Sequence, residues 1–131
     1  MKTDIILSGV GGQGILSIAT IIGEAALHLG LNLKQAEVHG MSQRGGSVVT
    51  YVRYGDKVYS PIIDKGQADV IISFEKLEAA RYMNYLKKGG KIVVSDQEID
   101  PMPVITGAAE YPENLIEKMK AAGADIDDMD A

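Results

Sequence analysis

The sequence predicts a three-layer α/β sandwich built on a mainly parallel sheet with an inserted β-hairpin. Short apolar runs alternate with apolar residues at helical spacing along the 131-residue chain, which is typical of strands that alternate with helices. A glycine-rich turn follows the first run, and a later stretch rich in β-branched and aromatic residues has the turn residues of a hairpin. No repeat, linker or low-complexity segment divides the chain, so a single domain over 1–131 is expected.

The composition excludes several classes of function. The chain is 46% hydrophobic and 24% charged with a formal net charge of -5, so neither nucleic acid nor a membrane is an expected partner. It contains no cysteine, so it supplies no disulfide and no thiolate ligand for a metal or an iron–sulfur cluster. Asp4 interrupts the basic start and glycines interrupt the first apolar run, which argues against a signal peptide and makes the cytoplasm the expected location.

The first half of the chain predicts a strand, a helix and a strand, followed by the hairpin. DIILSG predicts a buried parallel strand, and apolar residues at helical spacing predict a helix over 15–29. LNLKQAEV predicts the second strand of a right-handed βαβ unit over 4–38. The stretch SVVTYVRYGDKVYSP predicts a hairpin that turns at Gly55 and Asp56, with Pro61 closing its second strand.

The second half predicts three further strands and two helices. ADVIIS predicts a buried strand, and Ser73 is expected to cap a helix over 75–87 that Gly89 and Gly90 stop. KIVVS predicts a strand, MPVIT an edge strand and residues 112–122 a last helix, after which ADI begins another strand. Tyr51, Tyr54 and Tyr59 are expected to cover the sheet, and Tyr82, Met83 and Tyr85 are expected to be packing or interface residues.

The stretch LSGVGGQGIL carries Gly9, Gly11 and Gly14 at the spacing of a dinucleotide-binding turn. Such glycines permit a tight turn and let an anion approach the free N–H groups at the start of the helix. Glu37 follows Gly14 by 23 residues, near the end of the second strand, where an acidic residue can bind a ribose hydroxyl. One interpretation is therefore a stand-alone NAD- or nucleotide-binding module. The other is that the glycines only let helix and sheet pack closely.

A polar and glycine-rich segment, HGMSQRGG, directly follows the second strand. Its His39, Ser42, Gln43 and Arg44 are expected beyond the carboxyl ends of the strands, beside the glycine turn, where α/β sheets bind ligands and partners. Arg44 suits two-pronged binding of a carboxylate or phosphate, and the two glycines after it allow a close approach. A solvated loop in which Arg44 makes a local ion pair is the alternative.

Three ordered stretches, GVGGQGIL, EVHGMSQRGGSVVTYVRYG and ADVIISFEKLEAAR, resemble the gamma-type subunit or domain of the ferredoxin-dependent 2-oxoacid oxidoreductases. Within that family the sequence is most similar to the small (beta) subunit of indolepyruvate ferredoxin oxidoreductases, from about Ile5 to Ala131. Members of the family usually continue through further helical segments. The resemblance therefore implies that the C-terminal segment is missing here.

The resemblance also implies a Rossmann-like module with no NAD role that packs against a large catalytic alpha subunit. That partner is expected to hold thiamine diphosphate and iron–sulfur clusters, with coenzyme A as co-substrate and ferredoxin as electron acceptor. The chain alone is expected to bind no cofactor, to hold no catalytic residue or metal ligand, and to be inactive. The family's motif residues are expected to border the substrate or coenzyme A entrance at the subunit interface: Gly9, Gly11, Gly12, Gln13, Gly14, His39, Gly40, Ser42, Gln43, Arg44, Gly45 and Gly46.

Overall fold

The computed structural model describes residues 2–10, 14–39, 47–95, 107, 110–121, 123 and 125–129, with the backbone alone at 38, 39, 47 and 127–129. Within these residues the strands form one six-stranded sheet, in the spatial order β2, β3, β1, β4, β5, β6. The elements follow the chain as β1 (Lys2–Val10), α1 (Ile15–His28), β2 (Asn32–His39), β3 (Ser47–Gly55), β4 (Ala68–Ser73), α2 (Lys76–Arg81), a 3₁₀ helix (Met83–Tyr85), β5 (Leu86–Ser95), α3 (Leu115–Ala121) and β6 (Asp125–Met129).

Strand β3 is antiparallel to its neighbours and lies between β1 and β2. It pairs with β1 along the whole length of both strands, from Lys2 opposite Gly55 to Val10 opposite Ser47. The other pairs, β1 with β4, β4 with β5 and β5 with β6, are parallel. The mainly parallel sheet with a hairpin is therefore confirmed. The hairpin consists of β2 and β3, joined by residues 40–46.

The second strand predicted for the hairpin is wrong, because residues 57–63 form no strand. Arg53 reaches out of β3 and donates hydrogen bonds from Nη1 to the carbonyl oxygens of Ser60 (3.0 Å) and Ile62 (2.6 Å). These carbonyls are satisfied by a side chain instead of a neighbouring strand. The chain therefore crosses to β4 as an irregular connection.

The helix predicted over 75–87 is shorter than expected. After α2 and one 3₁₀ turn, β5 already begins at Leu86, so Gly89 and Gly90 lie inside a strand and stop no helix. A Cβ atom at Gly90 would lie 2.7 Å from Cδ1 of Leu86 and 3.0 Å from the carbonyl oxygen of Asp69. The glycine thus lets β5 approach β4 closely, a long-range contact that local helical spacing does not reveal.

The end of the chain follows the prediction with different bounds. The last helix begins three residues later than the predicted 112–122, at Leu115, and β6 follows it in parallel with β5. The edge strand predicted for MPVIT, residues 102–106, lies outside the described residues.

The sheet buries an apolar layer on each face. On the first face α2 and α3 pack over buried residues that include Ile6, Val49, Tyr51, Ile71, Ile92, Val94, Leu115, Ile116 and Met119. On the second face α1 packs over a smaller set that includes Ile5, Leu7, Ile15, Ala19 and Val52. The three layers predicted from the sequence are therefore helix, sheet and helix.

Three tyrosines pack together on the first face. The ring centroids of Tyr82 and Tyr85 lie 5.8 Å apart, and those of Tyr51 and Tyr85 lie 6.3 Å apart. Burial, reinforced by Tyr85, raises the pKa of Tyr51 to about 12, and burial also raises the pKa of Tyr82. The expected packing is confirmed for these residues and for the half-buried Tyr54. For Tyr59 it is wrong, because that side chain is exposed.

Replacing Tyr51 with Phe is expected to lessen the loss of stability at alkaline pH. The raised pKa means that the unfolded chain loses this phenol proton first, so the contribution of Tyr51 is full below pH 10 and disappears as the pH rises towards about 12. Urea unfolding measured from neutral pH to about pH 12 would test this. Tyr59→Phe is the matched control at an exposed site and should keep the wild-type profile. Identical profiles for wild type and Tyr51→Phe would contradict the prediction.

Candidate functional site

The ends of β1 and β2 and the start of β3 meet at one edge of the sheet, called here the carboxyl edge. Val10, the last residue of β1, pairs with Ser47, the first residue of β3, and His39 at the end of β2 pairs with Val48. The glycine turn and the HGMSQRGG segment therefore leave the sheet from adjacent positions. The structure places the flanks of both segments side by side, and the roles of the residues between them stay predictions.

The structure describes few of the predicted site residues. Gly9 lies in β1 opposite Val48, Gly14 precedes α1, and the backbone of His39 ends β2. The remaining members lie outside the described residues: Gly11, Gly12, Gln13, Gly40, Ser42, Gln43, Arg44, Gly45 and Gly46.

Gly14 joins the glycine turn to α1 in a left-handed conformation, with φ 81° and ψ 19°. A Cβ atom there would meet nothing within 4 Å, so the backbone conformation, not space, demands glycine. Gly14 has no side chain to cap the helix, and the first turn of α1 contains no acidic residue. The first N–H groups and the positive end of the helix dipole thus lie at the carboxyl edge, which suits an anion.

Glu37 does not occupy the position that an NAD site requires. In a dinucleotide-binding sheet the strand that carries the acidic residue lies next to the first strand, but here β3 separates β2 from β1, which puts Glu37 two strand spacings away, about 10 Å. Glu37 also pairs with Thr50, which pairs with Leu7, so it lies at a level three residues before Val10. The interpretation as an NAD-binding module is therefore not favoured.

A buried polar group that the sequence analysis missed lies where β4 ends beside β1. Ser8 and Ser73 are partners in the parallel register, and both are fully buried. The N–H of Phe74 donates to the carbonyl oxygen of Ser8 (2.9 Å), and Oγ of Ser73 donates to the carbonyl oxygen of Glu75 (2.7 Å). Among the described residues, Oγ of Ser8 has no hydrogen-bond partner.

The carboxylate of Glu75 is buried and caps α2, the role expected of Ser73. Its Oε1 accepts from the N–H of Glu78 (3.0 Å), and its Oε2 accepts from the hydroxyl of Tyr111. The Tyr111 oxygen in turn accepts from the N–H of Leu77 (3.2 Å). Ser73 does not cap because its hydroxyl bonds to the backbone of Glu75. This network ties the end of β4, the start of α2 and the segment before α3 together.

The carboxyl edge holds the buried hydroxyl groups of Ser8 and Ser73, the buried carboxylates of Glu75 and Glu78, and the N–H groups at the start of α1. In the part of the chain that the structure describes, no three His, Asp or Glu side chains are grouped so that they would hold a metal ion. No helix in the same part is long and apolar enough to cross a membrane.

The fold and the carboxyl edge together define the class of protein, which is a Rossmann-like α/β module. In this module the antiparallel β3 lies beside β1, in the position that the second parallel strand occupies in a dinucleotide-binding sheet. Residues 4–129 match the family described as pyruvate ferredoxin/flavodoxin oxidoreductase. The chain belongs to this family. The resemblance in the three ordered stretches of sequence is thereby confirmed.

Relatives with similar sequences are subunits of oxidoreductases. The chain is 54% identical over 109 residues to indolepyruvate oxidoreductase subunit IorB of Pyrococcus horikoshii, covering 83% of this chain and 54% of that protein. It is 51% identical over 117 residues to the IorB subunit of Thermococcus kodakarensis, covering 89% of this chain and 57% of that protein. The chain thus spans about half the length of the curated relatives that it matches.

A solved structure shares the fold. The gamma subunit of a keto/oxoacid ferredoxin oxidoreductase from Geobacter sulfurreducens superposes with a TM-score of 0.63 at 28% identity. The match covers 79% of this chain and 55% of that subunit. The α/β fold with its inserted antiparallel strand is therefore the fold of such gamma subunits.

Replacing Gly14 with Ala is expected to lower the free energy of unfolding by about 1–2 kcal/mol, because a Cβ atom is strained at φ 81°. Asn tolerates left-handed backbone and can cap a helix, so Gly14→Asn should lose less. Urea unfolding of the two variants beside the wild type measures the difference. An Ala variant as stable as the Asn variant would contradict the conformational argument.

The pair of Glu75 and Tyr111 is expected to show coupled stability effects. Glu75→Gln and Tyr111→Phe each weaken a buried, charge-assisted hydrogen bond, at a cost of about 1.5–3 kcal/mol. A double-mutant cycle by urea unfolding should give a coupling energy of about 0.5–3 kcal/mol. The exposed Glu117 offers a control, since Glu117→Gln combined with Tyr111→Phe should be additive. Additive effects for the pair of Glu75 and Tyr111 would show that the hydrogen bond contributes nothing to stability.

Proposed function

We propose that this chain acts as the small subunit, without cofactors of its own, of a ferredoxin-dependent oxidoreductase that converts aryl pyruvates such as indolepyruvate into aryl acetyl-CoA. The observation that carries the proposal is the 54% identity to an indolepyruvate oxidoreductase subunit over 83% of the chain. The gamma-subunit fold at 28% identity supports it independently.

The proposed partner is a larger catalytic subunit. Thiamine diphosphate and iron–sulfur clusters bound there would supply the decarboxylation and the electron transfer to ferredoxin. In this chain, the carboxyl edge is proposed to border the entrance for the substrate or coenzyme A at the subunit interface. A phosphate of coenzyme A fits the chemistry of that edge, because the start of α1 offers N–H groups and no first-turn carboxylate.

The roles proposed for the two segments at the edge differ in chemistry. The glycine turn, Gly9 to Gly14, lets an anion or a partner backbone approach α1. In the HGMSQRGG segment, Arg44 is proposed to bind a phosphate or carboxylate by two parallel hydrogen bonds, since its planar guanidinium matches those groups. Neither segment is proposed to bond covalently to the substrate.

The experiment that tests the function is an anaerobic affinity purification of the tagged chain from the cells that make it. We expect a stoichiometric larger subunit to copurify, together with iron and thiamine diphosphate. The purified complex should reduce ferredoxin with indolepyruvate only when coenzyme A is present, and pyruvate and 2-oxoglutarate should be poorer substrates. A chain that purifies alone, without iron and thiamine diphosphate, would overturn the proposal.

Replacing Arg44 with Ala is expected to raise the KM of the complex for coenzyme A roughly 10- to 100-fold. The physical reason is the loss of charge-assisted hydrogen bonds worth about 1.5–3 kcal/mol. Lys34→Ala removes the same charge from an exposed position of β2, in register with Arg53 and away from the carboxyl edge, and should leave this KM unchanged. An unchanged KM together with poorer copurification of the larger subunit would give Arg44 a role in assembly instead.

A further inference from the structure

The helix that follows β4 is short, and it depends on hydrogen bonds from other parts of the chain. α2 has six residues, well below the roughly 12–15 residues at which a helix becomes stable by itself in water. Two of its first N–H groups, those of Leu77 and Glu78, donate to the hydroxyl oxygen of Tyr111 and to Oε1 of Glu75. Tyr111 follows Leu77 by 34 residues. Part of the cap of α2 therefore comes from the segment before α3.

The C-terminal unit, defined here as residues 110–121 and 125–129, also consists of short elements. α3 has seven residues, and its buried side chains pack in the same core as Ala79 of α2. β6 is the outermost strand of the sheet and pairs with β5. Asn114, which precedes α3, has a φ of 58°, a left-handed conformation that is uncommon for a residue other than glycine. The unit thus contains a strained residue before its helix and ends at the side of the sheet.

Tyr111 joins the C-terminal unit to α2 and to the end of β4. Its hydroxyl donates to Oε2 of the buried Glu75 and accepts from the N–H of Leu77 (3.2 Å). If the C-terminal unit left its place, α2 would lose these hydrogen bonds and its apolar contact with α3. A helix of six residues is not stable without such support. We therefore expect α2 and the C-terminal unit to open together, as one cooperative unit of the structure.

The surface that α2 covers at the end of β4 is polar. Ser8 and Ser73 follow Ile6 and Ile71 by two residues, so their hydroxyls point to the face of the sheet on which α2 packs. Both serines are fully buried, and α2 contacts both β1 and β4. Returning hydroxyl groups and the carboxylate of Glu75 to water costs less free energy than exposing apolar side chains. The polar surface therefore lowers the cost of opening at this place.

We propose that α2 and the C-terminal unit form a gate over the end of β4, and that the hydroxyl of Tyr111 on Glu75 is its latch. In the closed state, which the structure shows, α2 covers Ser8 and Ser73. In the open state the latch is released, and the two hydroxyls and the carboxylate of Glu75 face water. A polar ligand that binds these groups would bind the open state and increase its population. The gate goes beyond the proposed function, because it is a property of this chain and needs no partner subunit.

The chain contains no cysteine, so thiol labelling of the full chain can measure the gate at a single introduced site. Ser8→Cys places a thiol under α2, and Ala19→Cys is the matched control, because Ala19 is equally buried in α1 on the other face. The rate should be proportional to the reagent concentration, so that it reports the population of the open state. Adding Tyr111→Phe to Ser8→Cys is expected to speed labelling about 10- to 100-fold, because a charge-assisted hydrogen bond is lost. Adding it to Ala19→Cys should change the rate less than about 3-fold.

A change in the C-terminal unit tests whether the two parts open together. Asn114→Ala adds strain to the left-handed backbone before α3 and lies outside α2. Hydrogen exchange of the full chain, followed by mass spectrometry, should become faster in α2 and α3 by similar factors and should stay unchanged in α1. Asn114→Gly adopts the left-handed conformation without strain and should stay within about 3-fold of the wild type.

Three results would overturn the inference. Faster exchange in α3 alone would show that α2 and the C-terminal unit open independently. Equal acceleration of labelling at Ser8→Cys and Ala19→Cys would show that Tyr111→Phe promotes global unfolding instead of a local opening. Unchanged labelling of Ser8→Cys would show that the Tyr111 hydroxyl is not the latch. These measurements use the chain alone, so their failure leaves the copurification of a larger subunit, and with it the proposed function, untouched.

Discussion

The pairing of β3 with β1 on one side and β2 on the other is the constraint on which the rest of the structure depends. It places an antiparallel strand beside β1, where a dinucleotide-binding sheet has a parallel one. The same pairing puts the ends of β1 and β2 on either side of the start of β3, so the flanks of the two glycine-rich segments lie at the same edge. The sheet therefore keeps a helix start after its first strand but has no acidic residue in the position beside that strand where a dinucleotide site requires one.

Buried charges are used differently at the two edges of the sheet. At the opposite edge of the sheet, where β1 begins and β3 ends, Asp4 and Arg53 form an ion pair that orders the connection between β3 and β4. Near the carboxyl edge the carboxylate of Glu75 accepts hydrogen bonds from a helix N–H and from the phenol of Tyr111. Both charges are satisfied by several partners, as burial in a medium of low polarity requires. The ion pair and the Glu75 carboxylate each fix the chain at a point where the chain leaves a strand.

Local sequence patterns predicted the elements that depend on local chemistry. They failed where contacts with other segments of the chain determine the structure. The apolar run of β1 and the helical spacing of α1 specify those elements by themselves. The shape of the 57–63 connection depends on Arg53, and the strand at Gly90 depends on a close approach to β4. Glu75 lies three residues before Glu78, which is the spacing of a helix cap. The sequence contained this signal, but the cap was assigned to Ser73 instead. No local sequence pattern indicates that β3 lies between β1 and β2.

The length of β1 sets a minimum size for any protein that touches both edges of this sheet. Its nine residues run from the edge of the sheet where β3 ends to the carboxyl edge. At about 3.3 Å per residue, the distance from one end to the other is close to 30 Å. That is roughly the diameter of a small domain. A protein that touches both ends of the strand must therefore be at least as wide as a small domain or must extend a segment about nine residues long beside the module.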